Sequence, residues 1–197
     1  MVSAALSGRV PAGQELGADA ADISASVADP DRFARVFDRH SDEIHRYAAR
    51  RLGADRQDLA DDVTAETFLV AFRKRRRYDL TRPDARPWLY GIAANLIAKH
   101  RRTEVRKLKA LARAAEPDTD AFEQRSVDRM DAQRLGPRLA AALASLRTAE
   151  RELLFLVTWA ELSYEQAAEA LGVPVGTVRS RLSRTRAKIR AAMEGRR

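Results

Sequence analysis

Residues near the carboxy-terminal end of the chain have the types and spacing that DNA recognition requires. Residues 163–178 read SYEQAAEALGVPVGTV, a short helix with small residues that ends at Gly172 before a second helix begins. Ser163 and Gln166 stand at the positions of a capping box. This arrangement is typical of a helix-turn-helix, whose second helix enters the major groove. On a helical wheel of that second helix, four apolar residues are predicted to face the core: Val178, Leu182, Ile189 and Met193.

The polar side of the same helix carries the donors that base edges and phosphates accept. Arginine can donate two hydrogen bonds to guanine O6 and N7, and flanking cations suit the phosphates. The alternative is a basic helix face that is only solvated. The turn, the spacing and the absence of any acidic residue from Thr177 to Arg190 argue against that alternative. We predict that the DNA-reading residues are Thr177, Arg179, Ser180, Arg181, Ser183 and Arg184.

A second cluster, in the middle of the chain, interleaves cations with aromatic rings. In single-stranded DNA the phosphates would meet charge and the unstacked bases would meet rings, each stacked base contributing about 1–3 kcal/mol. For Trp88 alone, a place in the core is at least as good an interpretation. For the cluster as a whole we favour nucleic-acid binding. Its members are Arg75, Arg76, Arg77, Tyr78, Arg86, Trp88, Asn95, Lys99 and Arg102.

An acidic stripe precedes this cluster on one predicted helix. Asp58, Asp62 and Glu66 are four residues apart, so they share a helix face. The helix dipole explains an acid at position 58, but Glu66 lies too far along the helix to gain from it. A metal site is a third interpretation, but no histidine or further carboxylate converges in the sequence. In a chain with a net charge of +8, we favour a docking surface for a basic protein partner.

The composition limits the classes of function. The 197 residues include 36 Lys plus Arg against 28 Asp plus Glu, which favours a polyanionic partner. The absence of cysteine excludes disulfides, thiolate catalysis and cysteine-based zinc sites. Because no nucleophile–base pair, phosphate-binding glycine loop or metal cluster is evident, we expect no enzyme, no cofactor and no metal. No apolar run could span a bilayer and no signal peptide is evident, so we expect a cytoplasmic protein.

Hydrophobic periodicity predicts an all-α chain with two small helical domains. Apolar residues recur at three- and four-residue steps over residues 30–103 and 137–195, and no stretch alternates with a period of two. Residues 1–29 contain few large apolar side chains and are predicted to form a disordered tail. Residues 104–136, rich in charge and alanine, are predicted to be a flexible linker. Domains this small are marginal alone, so docking on a larger partner would stabilise them.

Three segments, in this order, resemble the sigma-70 family of bacterial RNA polymerase sigma factors, in its small extracytoplasmic-function (ECF) class. Residues 61–73, DDVTAETFLVAFR, are similar to the region 2 helix that binds the clamp helices of the polymerase beta-prime subunit. Residues 86–102, RPWLYGIAANLIAKHRR, are similar to the helix that recognises the −10 promoter element. Residues 171–190 are similar to the recognition helix of region 4. The resemblance implies a region 2 domain over 30–103 and a region 4 domain over 137–195.

The resemblance also implies contacts with core RNA polymerase. Asp62 and Glu66 would pair with basic residues of the clamp helices, with Asp58 on the same face and Phe68 and Phe72 nearby. The apolar helix of residues 153–159 would meet the tip of the beta flap. Stress-responsive members of the family are often held by an anti-sigma factor, so such a partner is expected here as well. No insertion into a membrane is expected.

For promoter DNA, the resemblance assigns the two basic clusters to the two promoter elements. The turn of residues 77–86 would hold or flip a base of the −10 element, with Arg75 and Arg76 assisting melting. Trp88, Asn95, Lys99 and Arg102 would support the melted strand, and the second helix of the helix-turn-helix would read the −35 element. The chain departs from the family pattern where Lys99 replaces a frequent aspartate, which adds a cation facing DNA, and where Ala65 replaces a frequent glutamine.

Two other functions stay open at this point. A stand-alone helix-turn-helix regulator would bind its operator tightly without polymerase, but it leaves the acidic stripe and the basic aromatic cluster unexplained. An RNA-binding protein would need exposed stacking residues in both halves, and the second half offers few. A sigma factor predicts weak promoter binding by the free chain, because the linker alone leaves the two DNA-reading domains at no fixed separation.

Overall fold

A computed structural model describes residues 16–53, 56–112 and 137–194, and these ranges contain helices and no β-strand, as predicted. The amino-terminal unit comprises α1 (Ala18–Ala25), α2 (Ala34–Leu52), α3 (Gln57–Lys74) and α4 (Arg86–Ala112), with 3-10 turns at Pro30–Phe33 and Arg75–Arg77. The carboxy-terminal unit comprises α5 (Pro137–Ala144), α6 (Thr148–Thr158), α7 (Tyr164–Leu171) and α8 (Val175–Glu194). None of the helices in the described ranges has the length and apolar character that a bilayer crossing requires.

The core of the amino-terminal unit forms where α2, α3 and α4 pack against one another. α2 buries a stripe at three- and four-residue spacing, which is the stripe that its sequence predicts. It ends at Gly53, whose φ of 97° lies in the region that favours glycine. The fully buried side chains that these helices contribute include Val36, Ile44, Val63, Leu89 and Ile97.

Residues 18–25 are helical, which corrects the prediction of a disordered tail for this part of the chain. α1 buries Ala20 and Ile23 completely. Its two acidic residues, Asp19 and Asp22, both accept hydrogen bonds from the guanidinium of Arg39 on α2. Counting large apolar residues missed this helix because one isoleucine and a pair of carboxylates attach it to the core. The rest of the predicted tail, residues 1–15, lies outside the described residues.

α4 continues past residue 103, where the predicted linker begins. Residues 104–112 contain strong helix formers and no Gly or Pro, so nothing in this segment ends the helix. Glu104 forms an ion pair with Arg56, which lies just before α3. The remainder of the predicted linker, residues 113–136, lies outside the described residues.

The carboxy-terminal unit contains the helix-turn-helix that the sequence predicts. Ser163 and Gln166 form the reciprocal hydrogen bonds of a capping box at the start of α7. The helix ends at Gly172, whose φ of 63° allows the left-handed turn into α8. Val178 and Leu182 are buried as the wheel predicts, but Met193 is exposed because it lies in the last turn of α8.

The two units are packed together and share one contiguous apolar core. α7 of the helix-turn-helix lies against α4. This arrangement differs from the loose separation that we expected from the linker sequence. As a result, the residues predicted to bind the two promoter elements belong to units that are packed against each other.

Replacing Ile23 by Ala should lower the free energy of unfolding by about 2–5 kcal/mol, because the side chain is fully buried against the core. Urea titration followed by far-ultraviolet circular dichroism measures this change. Val27→Ala is the matched control: its side chain is exposed two residues after α1, so its effect should stay within about 0.5 kcal/mol. Equal, small effects of both substitutions would mean that α1 does not stabilise the fold.

Candidate nucleic-acid interface

The predicted DNA-reading residues lie together on the outer face of α8. Four of the six are exposed and Thr177 and Arg181 are partly exposed, while the opposite face of the helix carries the buried Val178 and Leu182. The Ser180 hydroxyl donates to the Thr177 carbonyl at 3.1 Å, and Arg184 Nε donates to the Ser180 carbonyl at 3.2 Å. These two bonds tie the side chains of Ser180 and Arg184 to the backbone of the helix.

One acidic side chain of α7 lies near this face. Arg179 is 3.4 Å from a carboxylate oxygen of Glu165, and both side chains are well exposed. An exposed pair of this kind contributes little and is easily exchanged for a stronger contact with a phosphate. The pair therefore does not prevent Arg179 from binding DNA.

Arg76 and Arg77 of the second cluster are exposed, but Arg75 is held by the protein. Its guanidinium lies 3.8 Å from the centroid of the Phe72 ring, and Nη1 donates to the Phe72 carbonyl at 2.7 Å. Its Nε donates to the carbonyl of Ser26, just after α1, at 3.2 Å. These contacts involve Nε and Nη1 and hold the partly buried Arg75 against the protein in this arrangement.

The loop of residues 78–85, between the 3-10 turn and α4, is built on an aromatic pair. The rings of Tyr78 and Trp88 lie 4.9 Å apart between centroids, and the Tyr78 hydroxyl donates to the Arg82 carbonyl at 2.9 Å. Burial raises the pKa of this hydroxyl, so it remains a donor at neutral pH. Tyr78 is buried and Trp88 is partly buried, which fits the core interpretation of Trp88 and leaves Tyr78 no open ring face for a base.

The end of the loop is fixed by Arg86, at the first position of α4. Its Nε and Nη2 donate to Asp84 at 3.0 and 2.9 Å, and this pairing raises the pKa of Arg86. Further along α4, the exposed residues of the cluster are Asn95, Lys99 and Arg102. The exposed members of the cluster on the adjoining turn are Arg76 and Arg77.

The acidic stripe lies on the solvent side of α3, but its last member is already paired. Asp58 and Asp62 are exposed. Glu66 lies 3.8 Å from Lys99 Nζ and 3.8 Å from His100 Nε2, both on α4. Glu66 and Lys99, which we predicted to face two different macromolecules, therefore meet within the chain.

The prediction that Phe68 and Phe72 lie on the docking surface conflicts with the burial of Phe68, whereas Phe72 is partly buried against the core. Phe68 is buried, with its ring 4.9 Å from that of Phe37, and Phe72 packs edge-on against Phe33 at 5.5 Å. The exposed apolar residue of α3 is Leu69, with 47% of its surface accessible. Its spacing of three residues from Glu66 places it beside the acidic stripe, a signal that the sequence contains and that we did not use.

α7 covers part of the α4 surface that carries Trp88 and Asn95. At Gly91 the two backbones approach so closely that an added Cβ would lie 2.6 Å from the carbonyl oxygen of Ala170. A groove of about 390 Å³ runs beside this contact, lined by Trp88 and Asn95 on one side and by Leu171 on the other. In this arrangement α7 occupies space that a nucleic-acid strand along α4 would need.

α7 also contacts the 78–85 loop through two polar side chains. Glu169 forms an ion pair with Arg82, and Gln166 Nε2 donates to Asp84 at 2.9 Å. Partial burial raises the pKa of Glu169, although the nearby Arg82 opposes the shift. Glu169 thereby occupies the guanidinium of Arg82, a cation of the loop, in this arrangement.

A second contact between the units centres on Glu152 of α6. Its carboxylate accepts hydrogen bonds from the Tyr47 hydroxyl and from Arg51, both on α2. Arg51 is 1% exposed, and burial lowers its pKa to about 10, so it remains charged at neutral pH. Burial raises the pKa of Glu152 in turn. The sequence gives no signal for this cluster, because its members lie about a hundred residues apart.

An aromatic contact extends this interface to solvent. The guanidinium of Arg50 lies 3.4 Å from the ring centroid of Trp159, which is 54% exposed just after α6. α6 is the helix for which the sequence predicts a partner, and here α2 covers part of it. In the described part of the chain, no group of three or more His, Asp or Glu residues is placed to hold a metal ion.

Comparison with known proteins gives matches along both units. A model of Sigma-70 region 2 matches residues 36–107, and a model of Sigma-70 region 4 matches residues 137–189. The ECF RNA polymerase sigma factor SigC of Mycobacterium tuberculosis is 37% identical over 139 residues, which cover 68% of this chain and 70% of SigC. The ECF RNA polymerase sigma factor SigE of Mycolicibacterium smegmatis is 32% identical over 188 residues, which cover 91% of this chain and 68% of SigE.

Among solved structures, CnrH in complex with the cytosolic domain of CnrY has a TM-score of 0.62 to this chain at 26% sequence identity. The match covers 91% of this chain and 99% of the matched chain. CnrH of Cupriavidus metallidurans is an RNA polymerase sigma factor.

Gly91→Ala should separate the two units, because the new methyl group would meet the Ala170 carbonyl at 2.6 Å. The substitution favours the helix itself by up to about 1 kcal/mol, so α4 should stay folded. Because the chain has no cysteine, dyes attached at Asp38→Cys and Ala191→Cys, both exposed, can report the separation by energy transfer. Transfer should fall for Gly91→Ala and should not change for Gly176→Ala, where a Cβ meets nothing within 4 Å. Unchanged transfer in Gly91→Ala would show that the contact does not hold the units together.

Proposed function

The chain belongs to the sigma-70 family of RNA polymerase sigma factors, in its ECF class. On this basis we propose which of its residues bind core polymerase and which recognise each promoter element. A sigma factor binds core RNA polymerase and directs it to start transcription at specific promoters. The family membership spans both units, which excludes the stand-alone regulator and the RNA-binding protein. We propose that the chain catalyses no reaction of its own and acts in the cytoplasm beside the polymerase.

The −35 element is assigned to α8, and the exposed face of this helix is the observation that carries the assignment. Its six polar residues form a broad strip opposite Val178 and Leu182, with Ser180 and Arg184 at the centre and Arg179 and Arg181 at the two edges. Within residues 177–190 no carboxylate interrupts the strip. Arginine at such positions can pair with two acceptors of one guanine, which a lysine cannot do in the same plane.

The −10 element is assigned to the loop of residues 78–85 and to the exposed side of α4. Arg76 and Arg77 supply positive charge at one end, while Asn95 and Arg102 continue along the helix. The supporting observation is that Tyr78, Trp88 and Arg86 are fixed by contacts within the protein, which gives the loop a defined shape. A preformed loop captures an unstacked base at a lower entropic cost than a mobile one.

Docking on core polymerase is assigned to the outer face of α3. Asp58 and Asp62 offer carboxylates to the basic partner that the family resemblance implies, and Leu69 offers the apolar contact that we had placed on Phe68 and Phe72. Glu66 would join them after exchanging its internal partners. The second contact, with the beta flap, is assigned to α6 and Trp159.

The packing of α7 on α4 supports a closed state of the free chain. In this state Glu169 and Gln166 bind Arg82 and Asp84 of the 78–85 loop, and the guanidinium of Arg50 covers part of the Trp159 ring. Binding of core polymerase at both α3 and α6 would separate the units and uncover the loop. The free chain should then bind a −10 strand weakly, and Gly91→Ala should bind it more tightly than the wild type.

A regulatory protein partner is also expected. CnrH, which this chain resembles over most of its length, was solved in complex with the cytosolic domain of CnrY. By this likeness we expect an anti-sigma factor that binds this chain and keeps it from core polymerase.

Run-off transcription with purified core polymerase tests the proposed function directly. Genomic fragments are transcribed with and without the chain, and new start sites should appear only when it is present. The −35 and −10 elements then follow from aligning the start sites. If no template gains a start site, the assignment of both promoter elements fails.

Arg184→Ala should reduce discrimination between a promoter and its −35 variants by about 1–3 kcal/mol, because a bidentate contact with a base is lost. Competition binding of the holoenzyme to matched and altered −35 duplexes measures this difference. Arg190→Ala is the control, since Arg190 lies two turns further along the exposed part of α8. It should weaken binding to all sequences alike, if at all. An equal loss on every sequence for Arg184→Ala would make Arg184 a phosphate contact.

Asp62→Lys should weaken binding to core polymerase roughly tenfold, because a charge that faces a basic partner is reversed. Fluorescence anisotropy of the labelled chain titrated with core polymerase measures the dissociation constant. Asp42→Lys makes the same charge change on the exposed side of α2 and serves as control. Affinity equal to that of the control would remove α3 from the docking surface.

A further inference from the structure

The 78–85 loop is held by two different helices in the structure. α7 holds it through Arg82 and Asp84, as described above. α1 holds it through Asp19, whose Oδ2 accepts a hydrogen bond from the Ala85 N–H at 2.8 Å. Just before α1, Gly17 lies against Pro83 so closely that a Cβ at position 17 would be 2.5 Å from the Pro83 Cβ.

These two contacts differ in what happens when the units separate. α7 belongs to the carboxy-terminal unit, so its hold on the loop is released when that unit moves away. α1 belongs to the amino-terminal unit and stays in place. After opening, α1 therefore continues to support the loop, together with the bonds from Tyr78 to Arg82 and from Arg86 to Asp84.

Asp19 is well suited to hold a loop because its own position is fixed. It is buried, and it also accepts hydrogen bonds from His40 Nε2 at 2.9 Å and from the guanidinium of Arg39. Burial alone would raise the pKa of Asp19, but the bonds from His40 and the Ala85 N–H outweigh it and lower the pKa to about 2. Burial alone would lower the pKa of His40, but the hydrogen bonds to Asp19 and Glu43 outweigh burial and raise the pKa of His40 to about 9. The carboxylate and the imidazolium are thus both charged at neutral pH.

We propose that α1 is part of the −10 recognition apparatus and that Asp19 is a positioning residue, which keeps the 78–85 loop in the shape that receives a −10 base once α7 has moved away. This inference rests on the proposed role of the loop in reading the −10 element. Under this proposal Asp19 makes no contact with DNA. It acts through the Ala85 N–H, at the point where the loop enters α4.

The physical basis of the proposal is the entropy of the loop. A loop that is free in the open state would have to be ordered each time it captures a base, and this cost would fall on the correct and the incorrect base alike. A loop that is already shaped accepts the fitting base and rejects others by misfit. Loss of the support should therefore reduce selectivity more than it reduces overall binding.

The experiment compares the wild type with Asp19→Asn, each as holoenzyme with core polymerase. The ligand is a forked DNA with a matched −35 duplex and a single-stranded −10 element, in its native sequence and with single base changes. Because one hydrogen bond to a charged group can shift an equilibrium by about tenfold, the preference for the native −10 base should fall roughly tenfold. Fluorescence of 2-aminopurine at the −10 base should report less capture. Affinity for core polymerase should stay unchanged.

Two further variants separate positioning from general stability. Asp22 lies on the same helix and also binds Arg39, and its other ion pairs are with Arg32 and Arg35, which lie outside the loop. The selectivity of Asp22→Asn should therefore equal that of the wild type. Gly17→Ala keeps the Asp19 carboxylate and pushes Pro83 instead, so it should lose selectivity as Asp19→Asn does. If Asp19→Asn fails to fold, Gly17→Ala still tests the positioning role of α1.

The outcomes distinguish the inference from the function on which it rests. If the wild type itself shows no preference for any −10 base, the proposed role of the loop fails. If the wild type is selective and both Asp19→Asn and Gly17→Ala are equally selective, the positioning role fails. It also fails if Asp22→Asn loses as much selectivity as Asp19→Asn, because the effect would then be one of general stability.

Discussion

The close approach of α4 and α7 at Gly91 is the constraint on which the arrangement of the two units depends. A backbone carbonyl lies where a side chain would otherwise stand, so the contact tolerates no Cβ there. The buried Glu152 cluster acts beside it. Removing only one partner of this pair would leave the other buried without compensation. The interface is therefore specific, and separating the units would also expose apolar side chains of the shared core.

The shared core of the two units agrees with their small size. Units of fewer than a hundred residues bury only about 60% or a little more of the surface of their unfolded chains, and packing against a neighbour increases that fraction. In the closed state the neighbour is the other half of the same chain, and in the holoenzyme it is the polymerase. The surfaces that the halves offer each other, around Trp159 and the 78–85 loop, are also surfaces assigned to polymerase and DNA. One set of residues therefore serves both states.

Features encoded by local spacing could be predicted from the sequence, and features that depend on distant pairs could not. The capping box at Ser163, the turn at Gly172 and the strip on α8 follow from short-range rules, and the structure contains all three. For Phe68 a signal existed, since it lies about 120° around the helix from Asp62. No such signal existed for Phe72, which lies about 40° from Asp58 and is only partly buried. α1 escaped prediction because carboxylates bound to α2 replace the apolar residues that usually mark a helix. No sequence pattern links Glu152 to Tyr47, or Asp19 to Ala85, because these pairs form only once the chain has folded.

The outer face of α8 remains uncovered in the arrangement that closes the 78–85 loop. If α8 reads the −35 element as proposed, the chain could contact double-stranded DNA in the same arrangement in which α7 covers the 78–85 loop. Such a contact would leave the bases paired until core polymerase separates the two units.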